Sequence, residues 1–501
     1  MSKSTKKISI KKSTSSKSKP DVRLSDADKF LLPTYKRQPF VITHGRGCYV
    51  YDSSGKKYLD FLGGIAVNAL GHAHPRIVKV LRREAARAIH LSNLYHNAYQ
   101  GPLAHKLADW SGLDRVFFAN SGTEAIDGAL KLARLCGRTP EEGMSGVAKK
   151  HRILAMENSF HGRTFGAVSA TSTAKYREPF APVVPGVGFV RFNDVADLES
   201  KFDGTVCAVI LETVQGEGGI YPVTEEFWNA ARSLATKHKA LLIADEIQCG
   251  LGRTGRYFGY QKFSTKPDIA VVAKPLAAGL PLGAILTNES VASRVSPGMH
   301  GTTFGGGPLI CAVALEFLKI VEDEKLLQNI HARSAQLRDG LLHLGEKFDF
   351  IREIRGEGLM AGIELSVEGA PFVAEAVERG LLINCTHDYT LRLLPAFNVS
   401  KAQVSEFLRL FEQVLSAMAK RHTAAAAANP QTQSQLSSVA ARRIHDCNLT
   451  RGTHSAIQRF AHWSRMEPRA DTRHPSAHRR HQGQAHALSL VSTRQIYRAH
   501  F

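Results

Sequence analysis

A chain of 501 residues, 43% hydrophobic and 22% charged, is long enough for two or more domains, and none of its apolar runs is long enough to span a bilayer. Its net charge of +20 sits mostly at the ends: residues 1–20 carry +7 and residues 421–501 carry +9, leaving +4 for the 400 residues between. The body therefore has no electrostatic footprint for a phosphate backbone, and nucleic acid is not expected as a partner.

The first twenty residues are Lys, Ser and Thr with almost no core-forming side chains, so disorder is expected there. A basic, acid-free start is also compatible with an organelle transit segment. Short apolar runs follow at Val116–Ala119, Ile153–Met156, Val206–Leu211, Leu241–Ala244 and Ile269–Ala273. Several lead into helical patterns. Ile126, Ala129, Leu130 and Ala133 recur at the i, i+3, i+4, i+7 spacing of one helix face. Continuous apolar strands alternating with helices predict an α/β fold with a mostly parallel sheet covered on both faces. The stretch from Phe350 to Ala419 has its own strand and helix patterns and predicts a second, smaller domain. Near Arg421 an Ala run leads into His, Arg, Gln and Ser without a sustained period, which predicts a disordered basic tail. Seven cysteines are scattered without CxxC pairs, which argues against a zinc site or disulfide scaffold and for a reducing compartment.

Open α/β sheets bind ligands beyond the carboxyl ends of their strands, so the polar residues that end the apolar runs matter most. One run ends in Asp245-Glu246, another in Lys274, and a third in Asn120-Ser121-Gly122-Thr123-Glu124 at a helix start. Each has a bland reading. Ser and Thr commonly cap helices, a strand-end lysine is usually solvated, and a strand-end aspartate often caps a turn. The combination is more specific. A buried lysine can lose its charge and form a Schiff base, a carboxylate can hold a pyridinium, and a helix N-terminus can cup a phosphate. Pyridoxal phosphate needs all three. Two glycine patterns are decoys. Gly250-Leu-Gly-Arg-Thr-Gly255 does not lie between a strand and a helix, and Gly356-Glu-Gly-Leu-Met-Ala361 reads as a tight turn. His72 and His74 lack the further ligands of a zinc site, so no metal is expected.

Around these residues the chain resembles the class III pyridoxal-phosphate-dependent aminotransferases, and within them the acetylornithine branch in its fungal mitochondrial form. The resemblance covers about residues 30–420. It rests on Tyr58–His72, Phe118–Glu124, Ser159–Thr164, Gln215–Gly219, Asp245–Gln248 with Gly250–Gly255, and His300–Gly306. It implies pyridoxal-phosphate fold type I: a large domain with a mostly parallel seven-stranded sheet over 75–325, and a smaller α+β domain built from 21–74 and 326–420. Residues 1–20 and 421–501 would lie outside both.

The resemblance also implies roles. Lys274 would hold the cofactor as a Schiff base and shuttle a proton, and Asp245 would pair with the pyridinium. Gly122 and Thr123 would hold the phosphate, Phe160 would stack on the ring, and Gln248 would sit near its phenolic oxygen. Thr303 would reach the phosphate of a neighbouring subunit, making a homodimer with shared active sites. Arg163 and Thr302 would bind the carboxylate end of acetylornithine. Arg392 would hold the α-carboxylate of glutamate or 2-oxoglutarate, with Glu217 as its alternative partner. The implied reaction moves the terminal amine of N-acetylornithine to 2-oxoglutarate by a ping-pong scheme in arginine biosynthesis. The implied location is the mitochondrial matrix, with the cytoplasm as the alternative. The chain departs from the family pattern at Ile126, Pro275 to Ala278, and Gly307. Those departures keep open another ω-amine aminotransferase (for ornithine, 4-aminobutyrate or succinyldiaminopimelate), or an inactive relative acting as a binding protein.

Overall fold

Seven strands form the central sheet: β1 (Arg115–Ala119), β2 (Arg152–Met156), β3 (Val187–Val190), β4 (Val206–Glu212), β5 (Leu241–Asp245), β6 (Ile269–Val272) and β7 (Gly283–Thr287). The computed structural model describes residues 22–428, so expectations for residues 1–21 and 429–501 lie outside the described residues. The spatial order is β1-β7-β6-β5-β4-β2-β3, and β7 alone runs against its neighbours. This is the mostly parallel seven-stranded sheet expected.

The apolar runs are continuous because both sheet faces are covered. All seven residues of β4 are buried. Alternate strand residues feed two cores, as a period of two requires. Ile153, Ile210, Ile243, Val271 and Ile285 pack with Ile126 and Ala129 of the helix Gly122–Cys136. Leu154, Leu211, Leu242, Val272 and Leu286 share the other core with Phe227 and Phe317, from helices Glu225–Lys237 and Pro308–Asp323. Two strands escaped the sequence reading. β3 is a half-buried edge strand interrupted by Gly188, and β7 is the short antiparallel Gly-Ala-Ile-Leu-Thr.

Outside this sheet, Ile42–Arg46, Tyr49–Asp52 and Lys57–Asp60 form an antiparallel meander, and Leu381–Leu382 adds to it in parallel beside Lys57–Asp60. A second four-stranded sheet contains Ile351–Glu357, Met360–Leu365, Thr390–Leu393 and Asn384–Thr386. Its first hairpin turns at Gly358, where φ is +58° and a Cβ would come within 2.4 Å of the Arg253 carbonyl oxygen. The expected tail boundary at residue 421 is corrected: the last helix runs from Lys401 to Ala428. Alanine has the highest helix propensity, and the run after Thr423 extends the helix, not the tail. Among the described residues no helix is long and apolar enough to cross a membrane.

Glu246, just past β5, shows how the sheet edge is tied to its loops. Its buried carboxylate accepts N–H bonds from Gly259 (2.8 Å) and Tyr260 (2.9 Å) and the Thr213 hydroxyl (3.0 Å). Burial nevertheless pushes its carboxyl up to about 7, against 4.5 for an ordinary glutamate. The folded chain therefore binds this proton more tightly than the unfolded chain. The stabilisation is complete below about pH 4.5 and is lost as pH rises toward 7. Glu246→Gln does not ionise. Its melting temperature, relative to wild type, should move in the variant's favour by at least ~2 °C between pH 4.5 and 8. A difference constant across that range would contradict this account of Glu246.

Candidate active site

A cavity of about 430 Å³ opens beyond the carboxyl ends of β1, β2, β4, β5 and β6. Its lining includes Ser121, Gly122, Thr123, Phe160, Arg163, Glu212, Asp245, Gln248 and Lys274. The size lies within the range of small-molecule sites.

Each wall follows from how a strand ends. After β1, Ser121 caps the helix Gly122–Cys136, its hydroxyl accepting the Glu124 N–H, so the first-turn amides open toward the cavity. The Thr123 hydroxyl accepts the N–H groups of Arg163 and Thr164, both at 3.0 Å. That ties the segment after β2 to the helix start. Asp245 ends β5 beside Glu212, its register partner on β4. One Asp245 oxygen accepts the Ile247 N–H (3.0 Å), and the other lies 2.7 Å from Nδ1 of the buried His161. Burial alone would push the His161 ring down, but the hydrogen bond and charge of Asp245 hold it above the usual imidazole value.

Lys274 follows β6 with φ at +37°, a conformation rare for a residue with a side chain, and one that costs about 1–3 kcal/mol. Its side chain lines the cavity and is half-buried, with protein surrounding the amine. Burial pushes its ammonium below the ordinary lysine value, overriding the opposing carboxylates of Asp245, Glu217 and Glu212. An amine, a buried carboxylate and a helix N-terminus thus share one cavity.

Comparison with known proteins agrees with this chemistry. Residues 32–415 match the family model described as aminotransferase class-III. The chain belongs to the class-III aminotransferases. It is a pyridoxal-phosphate-dependent transaminase. The acetylornithine aminotransferase of Methanocaldococcus jannaschii is 42% identical over 78% of this chain and 97% of that protein. The mitochondrial acetylornithine aminotransferase of Yarrowia lipolytica is 41% identical over 79% and 96%. Among solved structures, the ornithine aminotransferase of Toxoplasma gondii superposes with a TM-score of 0.76 at 33% identity, covering 79% of this chain and 95% of that one. The acetylornithine aminotransferase of Elizabethkingia anophelis gives 0.70 at 31%, over 79% and 98%.

The cavity suits the cofactor that class-III aminotransferases use. Its wall carries an aromatic side chain, a carboxylate backed by a histidine, a lysine of lowered proton affinity and an amide-lined helix start. Arg392 is fully buried next to this wall. Its Nη1 donates to Glu217 (2.6 Å) and to the Gln248 carbonyl (3.2 Å), and its Nε donates to Asn384 (3.2 Å). Its Nη2 is buried without an acceptor.

Not every expected residue converges. Thr302 lines a different cavity, of about 510 Å³, with Asp127, Lys131 and His300, and its hydroxyl takes an N–H from Asn120. Within one chain it does not meet Arg163, whose guanidinium stacks 3.6 Å from the Tyr176 ring. Thr303 is exposed. Of the departures from the family pattern, neither Ile126, Pro275 nor Gly307 lines the lysine cavity.

His161 and Glu212 were missed in the sequence. Glu212 had a usable signal, since it ends an apolar run just as Asp245 does. His161 had only its place between Phe160 and Arg163. Asp245→Asn removes the charge that faces His161. Its ring should then titrate below the usual imidazole value near 6.5, as read by histidine NMR. An unchanged His161 titration would contradict the pairing.

Proposed function

We propose that this class-III aminotransferase moves the terminal amine of N-acetylornithine to 2-oxoglutarate, a step of arginine biosynthesis. The observation that supports this best is the buried Arg392, which shares Nη1 between Glu217 and Gln248 and leaves Nη2 free. One site must fit two unlike substrates in turn. With acetylornithine bound, Glu217 neutralises Arg392. With 2-oxoglutarate bound, Glu217 gives way and the guanidinium takes a carboxylate as a fork. The names of the Methanocaldococcus and Yarrowia relatives favour acetylornithine as the donor. The similarity to the Toxoplasma ornithine aminotransferase makes ornithine the second choice.

Pyridoxal phosphate, when bound, supplies the electron-withdrawing ring that loosens bonds at the amine-bearing carbon. The chain's own residues do the rest. The Lys274 amine would hold the cofactor and would move the proton at that carbon. Asp245, oriented by His161, would keep the ring nitrogen protonated. Gly122 and Thr123, at the helix start, bind the phosphate. Phe160 would cover one face of the bound ring, and Gln248 would face its phenolic oxygen. Arg163, braced on Tyr176, binds the far carboxylate of the donor. Thr302 joins that task, and Thr303 reaches a phosphate, from the second subunit of a homodimer. The exposed apolar side chains near Thr303 support a dimer: Phe304, Ile89, Leu94 and Tyr95 all face solvent in the single chain. His90 packs on Phe304, and Asn93 donates to the carbonyls of Thr302 and Gly305, so these side chains belong to one surface. A mitochondrial location is the finer part of the proposal. It draws on the basic, acid-free first twenty residues and the name of the Yarrowia relative.

Purified protein should show a visible absorbance band from lysine-linked cofactor. Lys274→Ala should lose it, together with at least about 10²–10⁴-fold of the rate. Glutamate formed from acetylornithine should exceed that from ornithine or 4-aminobutyrate, and equal rates from acetylornithine and ornithine would reject the donor. Sedimentation should give twice the chain mass, and Leu94→Asp should shift it toward monomer with loss of activity. A fully active monomer would remove the roles given to Thr302 and Thr303.

A further inference from the structure

We propose that Glu212 is a positioning residue that holds the ring-stacking Phe160 and the Glu217 gate in register with Asp245. The inference rests on the roles given above to Phe160 and Glu217, and adds the group that couples them. Glu212 ends β4 directly beside Asp245. It is buried and lines the lysine cavity. One of its oxygens accepts the Phe160 N–H at 3.2 Å, and the other accepts the Gly216 N–H at 3.0 Å. These two amides lie on different loops, one after β2 and one after β4.

Each loop has a task. The first carries Phe160, His161 and Arg163. The second carries Glu217, whose carboxylate takes Nη1 of Arg392. Gly216 also packs on the Gln248 amide, where a Cβ would come within 2.3 Å. One carboxylate thus fixes the height of the aromatic wall and the reach of the gate. A stability role explains this less well. A carboxylate buried next to Asp245 is opposed by desolvation and by like charge, and both raise its proton affinity. The geometry makes sense where both loops must stay aligned while Arg392 changes partners.

Two variants separate alignment from bulk stability. Glu212→Gln keeps the volume but offers only one acceptor, so one of the two amides loses its tie. Glu212→Asp keeps the charge but draws the carboxylate back by a methylene. Both should raise KM for 2-oxoglutarate about tenfold with a much smaller change in kcat, and both should reduce the visible circular dichroism of the bound cofactor. The melting temperature of cofactor-free Glu212→Gln should not fall. Phe160→Ala and Glu217→Gln serve as controls. If neither control changes KM or the dichroism, the site reading itself fails. If the controls respond while both Glu212 variants keep wild-type KM and dichroism, the positioning role is overturned. If Glu212→Gln does not fold, Glu212→Asp alone decides, and wild-type behaviour in it overturns the proposal.

Discussion

The rest of the site is arranged around the exclusion of bulk water from the Lys274 amine. An ammonium in water does not attack an aldehyde, and the neutral amine must be available near neutral pH. Burial shifts the balance toward the neutral amine, but it would also empty the site of charge. Asp245, Glu217 and Glu212 oppose the effect, and Arg392 reinforces it. The lysine is therefore balanced by several charges drawn from two strand ends, from the loop after β4 and from the smaller C-terminal sheet. The balance holds only if those groups stay put. Hence the second layer of bonds: His161 on Asp245, Gln248 and Asn384 on Arg392, and Thr386 on the Glu217 carbonyl.

The sheet topology makes that convergence possible. In a parallel sheet the carboxyl ends of neighbouring strands lie side by side, so residues far apart in sequence become neighbours without a special fold. Asp245 and Glu212 are register partners although 33 positions separate them. Lys274 follows the next strand over. Antiparallel β7 adds no carboxyl end to this edge. It serves instead as a spacer, pairing with β6 on one side and β1 on the other. The helix start after β1 is thereby held two strand positions from the lysine.

This explains what could be read from sequence and what could not. Apolar runs and the polar residues ending them are local, so five strands, Asp245, Lys274 and the helix at Gly122 were legible by pattern alone. β3 was not, because an edge strand needs less apolar surface and tolerates Gly188. The Arg392–Glu217 contact spans 175 positions and has no local signature. It was expected only because the chain resembles a family. His161 looks like any buried histidine until the structure places Asp245 against it. Thr302 and Thr303 show the opposite limit: their resemblance-based roles need a second copy of the chain.

The departures from the family pattern sit where the fold can absorb them. Ile126 faces the core beneath the sheet, fully buried, where an apolar side chain packs better than an amide. Pro275 is the second residue of the one-turn 3₁₀ helix Lys274–Ala277, a position whose N–H has no partner within the turn, so its missing donor costs little. Ala278 is harder to accommodate. It adopts φ +50°, where the family pattern has glycine, and left-handed backbone costs an alanine about 1–2 kcal/mol. Lys274 adds its own left-handed strain in the same turn. Two strained residues flanking one proline define a segment whose shape the buried Pro275, Leu276 and Ala277 must hold. That strain is confined to the lysine's own turn. It therefore bears on where the amine points, and leaves the carboxylate and phosphate walls as the sheet sets them.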